Sequence, residues 1–171
     1  KTVFASIISR YQDPDGDLGI SDEGWEIAAK FLGNAHNIAD GEDAVGSVID
    51  GTYPMDEHWA SGVLTEQKDR DYKFQIMTPD IGEPYVVESL AISAGTKKYD
   101  TCVAFLNWLG SSDVQLDWSN NYGTIPCQKE ALDQVSDDIK ELMETLKPQD
   151  LDWSFIAENV DAWVEKAEKW L

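Results

Sequence analysis

Val3, Phe4, Ile7, Ile8 and Tyr11 recur at three- and four-residue intervals, the period of one helix face, until Pro14, Gly16 and Gly19 interrupt it. The spacing predicts a first helix ending near Gln12 and then an acidic, turn-rich loop. Ser21-Asp22-Glu23-Gly24 is a helix-start signal, and Trp25, Ala28, Ala29 and Leu32 carry a second amphipathic helix to Gly33 and Asn34. Asp40 or Glu42 is positioned to cap a helix bearing Val45, Val48 and Ile49 that Gly51 ends. Asp56 is expected to open the next, through Trp59, Val63 and Leu64.

The period then changes. Lys73 to Met77 alternates polar and apolar residues as a half-buried strand does, and Tyr85 to Ser93 has the Val, Leu and Ile content of a buried one. Pro79, Gly82 and Pro84 separate the two. Helical spacing resumes at Asp100 or Thr101 with Val103, Leu106, Trp108 and Leu109, and Ser111 or Ser112 precedes another helix through Val114 and Trp118. Tyr122 to Pro126 is an extended exit. Helices follow around 129–134 and 137–146, and a longer one from Trp153 to Trp170. Helices outnumber strands, and the strands are short and lie between helices. That order predicts an α/β fold, helix-rich with a short mixed central sheet; a helical bundle is the alternative.

With 42% hydrophobic residues the 171-residue chain can bury a core, so one or two compact units are expected. Charge narrows the partners: 33 acidic against 13 basic side chains leave a net −20, which repels nucleic acid and anionic membrane surfaces. Such a total also arises from carboxylates spread over solvated helix faces, so charge alone names no ligand. Cys102 and Cys127 are too few and too far apart for a zinc knuckle or a redox pair and are expected to be reduced and buried, with a disulfide between them the alternative for an exported chain. No segment has the run of about 18 apolar residues that would span a bilayer. The chain starts at Lys1 inside a predicted helix with no leader, the expectation for a piece of a longer polypeptide.

Enzyme signatures are missing: no nucleophile elbow, phosphate loop, HExxH or dinucleotide fingerprint occurs. The two histidines, His36 and His58, have no Ser or Cys at motif spacing. Asp13, Asp15 and Asp17 alternate like calcium-loop donors but lack the closing Glu, so a solvated loop is expected. Of the tryptophans, Trp25, Trp108, Trp163 and Trp170 fall on amphipathic helices and are assigned to the core. Trp59 follows Asp56, Glu57 and His58, a polar place for an indole, and is the ligand candidate.

The stretch from Thr78 to Gln115, with Gly123-Thr124-Ile125-Pro126 and Leu151-Asp152-Trp153 before Ala157-Glu158-Asn159 and Trp163, resembles the type II periplasmic binding proteins. The likeness is to their iron(III), polyamine and phosphonate-type members, and Gly24-Trp25, Asn34 and Gly51-Thr52-Tyr53 extend it over nearly the whole chain. The order of the motifs carries the resemblance more than any one of them.

The resemblance implies a non-enzymatic, extracytoplasmic solute-binding component of an ABC importer, without a cofactor. Such a protein closes two lobes on a small solute and delivers it to a membrane permease. A solute-sensing domain of a signalling protein, or an enzyme built on the same fold, are the alternatives. This chain would be the C-terminal half: 1–80 part of the second lobe, 81–126 the crossover strand and helices of the first, 127–171 the C-terminal helices, with hinges near Tyr85 and Gly123. The chain departs from relatives that bind iron through paired tyrosines, because His58 and Trp59 stand at that helix start. Carboxylates at Asp40, Glu42 and Asp43 oppose an anion there. A cationic or zwitterionic solute follows, with Trp59 or Tyr85 as aromatic wall and Glu57, Glu88, Asp40 or Glu42 as counter-charge.

Overall fold

Lys1 precedes an apolar run that winds into α1 (Thr2–Ile8) and tightens through a 3-10 turn, Ser9–Tyr11, before β1 (Gln12–Asp17). A computed structural model describes residues 1–170. It groups them into two compact units: unit 1 holds Lys1–Glu42, Ile81–Tyr85 and the chain from Pro148 onward, and unit 2 holds Asp43–Asp80 and Val86–Lys147.

In unit 1, β1 folds back on itself at Leu18 and Gly19. Asp13 N–H donates to Gly19 O (2.9 Å) and Ser21 N–H to Tyr11 O (2.9 Å), which pairs the two limbs as an antiparallel hairpin. The segment expected to be a solvated acidic loop is therefore a strand, anchored because Ile20 on the return limb is fully buried. Ser21 Oγ accepts from Gly24 N–H (3.2 Å) and starts α2 (Asp22–Gly33), whose first turn carries Asp22 and Glu23. Gly24 has to be glycine here: a Cβ would lie 2.5 Å from Ile20 Cγ2 and 2.6 Å from Tyr11 Cβ. Asp152 caps α9 (Trp153–Ala167) by accepting from Phe155 N–H at 3.0 Å. Phe4, Ile8, Ile20, Trp25, Ile156 and Trp163 form the centre of the core, each large apolar side chain contributing about 1.5–3 kcal/mol on burial.

Unit 2 contains α3 (Ala44–Ile49), α4 (Ala60–Arg70), α5 (Tyr99–Leu109), α6 (Ser112–Tyr122), α7 (Lys129–Leu132) and α8 (Asp137–Thr145). Its buried apolar side chains are Ala131, Val135, Ile139, Leu142 and Leu146, a stripe at intervals of three and four along α7, α8 and their connection. The α6 C-terminus turns on Gly123 at φ 68°, where a Cβ would lie 2.4 Å from Ser61 O of α4. Ser119 is fully buried with its hydroxyl satisfied by Thr124 O at 2.7 Å.

Several expectations change. Lys73–Met77 and Tyr85–Ser93 form no strand ladder, although Phe74 and Ile76 keep the predicted alternation in burial. A strand forms only beside another, and outside the hairpin the sheet pairing among the described residues is one parallel bridge between Glu83 and Pro148. The helix-rich expectation holds, and the short central sheet is not assembled within these residues. Asp43 caps α3, not Asp40 or Glu42, because its carboxylate reaches Gly46 N–H (2.9 Å) three residues on. The next helix starts at Ala60, four residues after Asp56. Trp108 is 55% exposed rather than core, since the half-buried positions of α5 are Cys102, Val103, Leu106 and Leu109 on another face. Both cysteines are free, but Cys102 is only half-buried and Cys127 is exposed.

Candidate functional site

Trp59 occupies the N-cap position of α4 with extended backbone, and its carbonyl accepts from Gly62 N–H (2.9 Å) and Val63 N–H (3.2 Å). No side-chain bond caps this helix. His58 lies back over the bare Gly62, its Nε2 2.6 Å from where a Cβ would stand, while its Nδ1 is 3.6 Å from Asp56 Oδ2. The imidazole is thus held against the first turn; the Trp59 indole is 64% exposed, and Glu57, two residues before it, is exposed as well. With one ring nitrogen toward Asp56 and the other over the helix backbone, His58 is placed as a packing residue. Glu88, also in unit 2, is exposed in the unpaired segment after Tyr85.

In unit 1, Asp40 is exposed in a turn. Glu42 is already engaged: its carboxylate accepts from Ala39 N–H (3.0 Å) and meets His36 Nε2 at 2.8 and 3.0 Å, closing the 36–42 loop on itself. Tyr85 is the last residue of the Ile81–Tyr85 piece of unit 1. Partial burial, helped by the nearby Glu83 carboxylate, raises its phenol pKa, so Tyr85 presents a neutral hydroxyl and an aromatic face.

Unit 2 holds an arrangement not anticipated from the sequence. Arg70, at the end of α4, grips Asp43 through both terminal nitrogens at 2.8 Å and Glu66 through Nε at 2.5 Å. The guanidinium beside Asp43, together with the Gly46 N–H, holds that carboxyl below its ordinary range, and the two carboxylates push Arg70 further up. The available signal was Asp43-x-x-Gly46: a Cβ on residue 46 would sit 2.3 Å from Asp43 Oδ2.

Two open depressions mark the surface: about 360 Å³ at Thr96–Thr101 in unit 2, and about 470 Å³ between Asp17, Leu18, the α9 residues Ala162, Glu165 and Lys166, and Lys169 just beyond that helix in unit 1. Neither is lined by the six sequence-derived candidates. Among the described residues no group of three His, Cys, Asp or Glu side chains is placed to hold a metal ion. An exposed indole face is chemically able to attract a cation. No helix among the described residues is long and apolar enough to cross a membrane.

Residues 3–147 match the profile of the bacterial extracellular solute-binding proteins. Over 165 residues, 96% of this chain, it is 32% identical to a probable ABC transporter periplasmic-binding protein of Sinorhizobium fredii. The chain spans about half of that relative, 46% of its length. No solved structure matches significantly.

Proposed function

Because the chain belongs to the bacterial extracellular solute-binding protein family, we propose that it is part of the solute-capturing component of an ABC importer. It acts outside the cytoplasm and hands a small solute to a membrane permease without making or breaking a bond. The observation that carries this reading is the profile match from residue 3 to residue 147, which takes in every element from α1 to α8. We further propose that the protein has the type II architecture, with this chain as the C-terminal half. The 46% coverage of the relative supports a longer polypeptide, and the exposed, unpaired Tyr85–Leu90 segment suits a strand whose neighbours lie elsewhere in it.

For the solute, a cationic or zwitterionic molecule fits best. Trp59 supplies an aromatic face, Glu57 and Glu88 supply counter-charge in the same unit, and the net −20 raises the local concentration of cations. Tyr85 and Asp40 are further proposed contacts, and Glu42 would join only by exchanging its bonds to His36 and Ala39. The test is calorimetry on the full-length protein against polyamines, amino acids, betaines, ferric iron and phosphonates. Tight binding of an amine-bearing solute is expected. Tight binding of a phosphonate or ferric iron would overturn the solute assignment, and a well-folded sample silent across the panel would count against solute capture.

A further inference from the structure

The chain passes between its two units at residues 42–43, 80–81, 85–86 and 147–148. Three of these four crossings lie within four residues of one bonded pair, Glu83 and Gln149. Ile81–Tyr85 is a five-residue piece of unit 1 with unit 2 before and after it in sequence. It is tied to the re-entering chain by the parallel bridge between Glu83 and Pro148 and by Gln149, whose backbone N–H donates to Glu83 O at 2.8 Å. The same residue's side-chain Nε2 donates to Ser6 O of α1 at 3.0 Å. Gln149 is half-buried, while Lys147, Pro148 and Asp150 around it are exposed.

Prolines stiffen the same place. Pro79 and Pro84 lie within two residues of the second and third crossings, and Pro148 is the first residue after the fourth. Each fixes its own φ near −65° and disfavours helical backbone in the residue before it. At Glu42–Asp43 no proline intervenes.

We propose that Gln149 is the positioning residue of these crossings: by tying α1, Ile81–Tyr85 and the re-entering chain together, it confines backbone rearrangement to the residues just outside its two bonds. In the solute-capture reading, on which its functional half rests, this makes Gln149 a determinant of how long a bound solute is retained, although it touches none of the proposed solute contacts.

Hydrogen exchange on the full-length protein without solute tests the clamp by itself. The Gln149 amide is expected to exchange at least about tenfold more slowly than that of exposed Asp150, and equal rates would overturn the proposal. Gln149→Ala, and the near-isosteric Gln149→Glu, which lacks the donor, are expected to speed exchange at residue 149 while leaving α9 protected. Unchanged protection at residue 149 in both would also overturn it. Should a variant fail to fold, the wild-type comparison decides. With a solute in hand, either variant is expected to release it faster at unchanged association rate, and an unaltered release rate would remove the positioning role. A failed solute panel leaves the exchange result standing, so the two ideas fall separately.

Discussion

The indole Nε1 of Trp163 donates to the carbonyl of Leu18 at 2.9 Å, joining residues 145 positions apart. Leu18 is held in the left-handed region at φ 52°, a conformation that costs a non-glycine residue roughly 1–2 kcal/mol. Trp25 does the same one residue earlier, donating to Asp17 O at 2.9 Å. Two tryptophans from α9 and α2 thus fasten the turn of the acidic hairpin, and Lys166 covers it, 3.6 Å above the Trp25 ring and 2.7 Å from Asp17 Oδ2.

Trp163→Phe keeps most of the buried ring volume but deletes the donor, leaving the Leu18 carbonyl without its indole partner. A loss of about 1–3 kcal/mol is expected, and Trp163→Ala should lose about 3–5 kcal/mol by opening a cavity. Urea unfolding of both variants checks the order. A Phe variant as stable as wild type would mean that the hydrogen bond contributes nothing net.

Gly123→Ala should destabilise unit 2 locally. The new methyl would meet Ser61 O at 2.4 Å at a φ of 68° that an L side chain resists. Together these exceed the roughly 1–2 kcal/mol expected of left-handed strain alone. Faster hydrogen exchange in α4 and α6, with α2 and α9 unaffected, is the expected pattern.

Asp43 sets an acid limit on the α3–α4 connection. Its folded pKa is depressed, first by the hydrogen bond from Arg70 and then by the Gly46 N–H. The contribution is therefore present above the ordinary aspartate value of about 3.9 and is lost as pH falls through the lower folded value. Arg70 stays charged throughout. NMR titration of the Asp43 carboxyl should show a midpoint below that ordinary value, and Arg70→Met should move it upward. An unmoved midpoint would contradict the assigned cause.

Salt should stabilise this protein. Screening weakens both attractions and repulsions, but exposed ion pairs such as Lys1–Asp161 and Lys166–Asp17 contribute little each, against an excess of 20 negative charges. Raising ionic strength from 0.15 to 1 M shortens the screening length from about 8 to about 3 Å. Each 1 kcal/mol of relieved repulsion should raise Tm by roughly 2–4 °C. A Tm that falls with added salt would show that the paired charges outweigh the net repulsion.

Trp59 is the residue through which the proposed solute would report itself. An exposed indole is quenched or shielded when a cation lies on its face, and Trp59→Ala should weaken binding by about 0.5–2 kcal/mol. Fluorescence titration of wild type and variant measures it. Equal affinity in both would remove Trp59 from the site.

Much of the helical framework is written in local pattern. Ser21 before Asp22-Glu23-Gly24 starts α2 where its hydroxyl can reach the third N–H, and the apolar spacing of Phe4, Ile8, Trp25 and Trp163 marks the faces that are buried, because a helix face is a property of the sequence within one or two turns. The strands from Lys73 and Tyr85 have the right composition and no ladder, since pairing needs a neighbour that local sequence does not specify. For the candidate site, the sequence picks out Trp59 and the acids around it by type. That His58 rests on Gly62, or that Glu42 is spent on His36, depends on contacts the pattern does not encode.

By itself, the sequence determined the helix order, the acidic balance and the resemblance to solute-binding proteins, all of which are carried by residue type and near-neighbour spacing. Only the tertiary structure decided which tryptophans are core, which carboxylates are already bonded, and that Gln149 bonds both Glu83 O and Ser6 O, the latter 143 positions away. These are matters of approach between distant segments, where a shift of an ångström makes or breaks a hydrogen bond and leaves the sequence pattern unchanged.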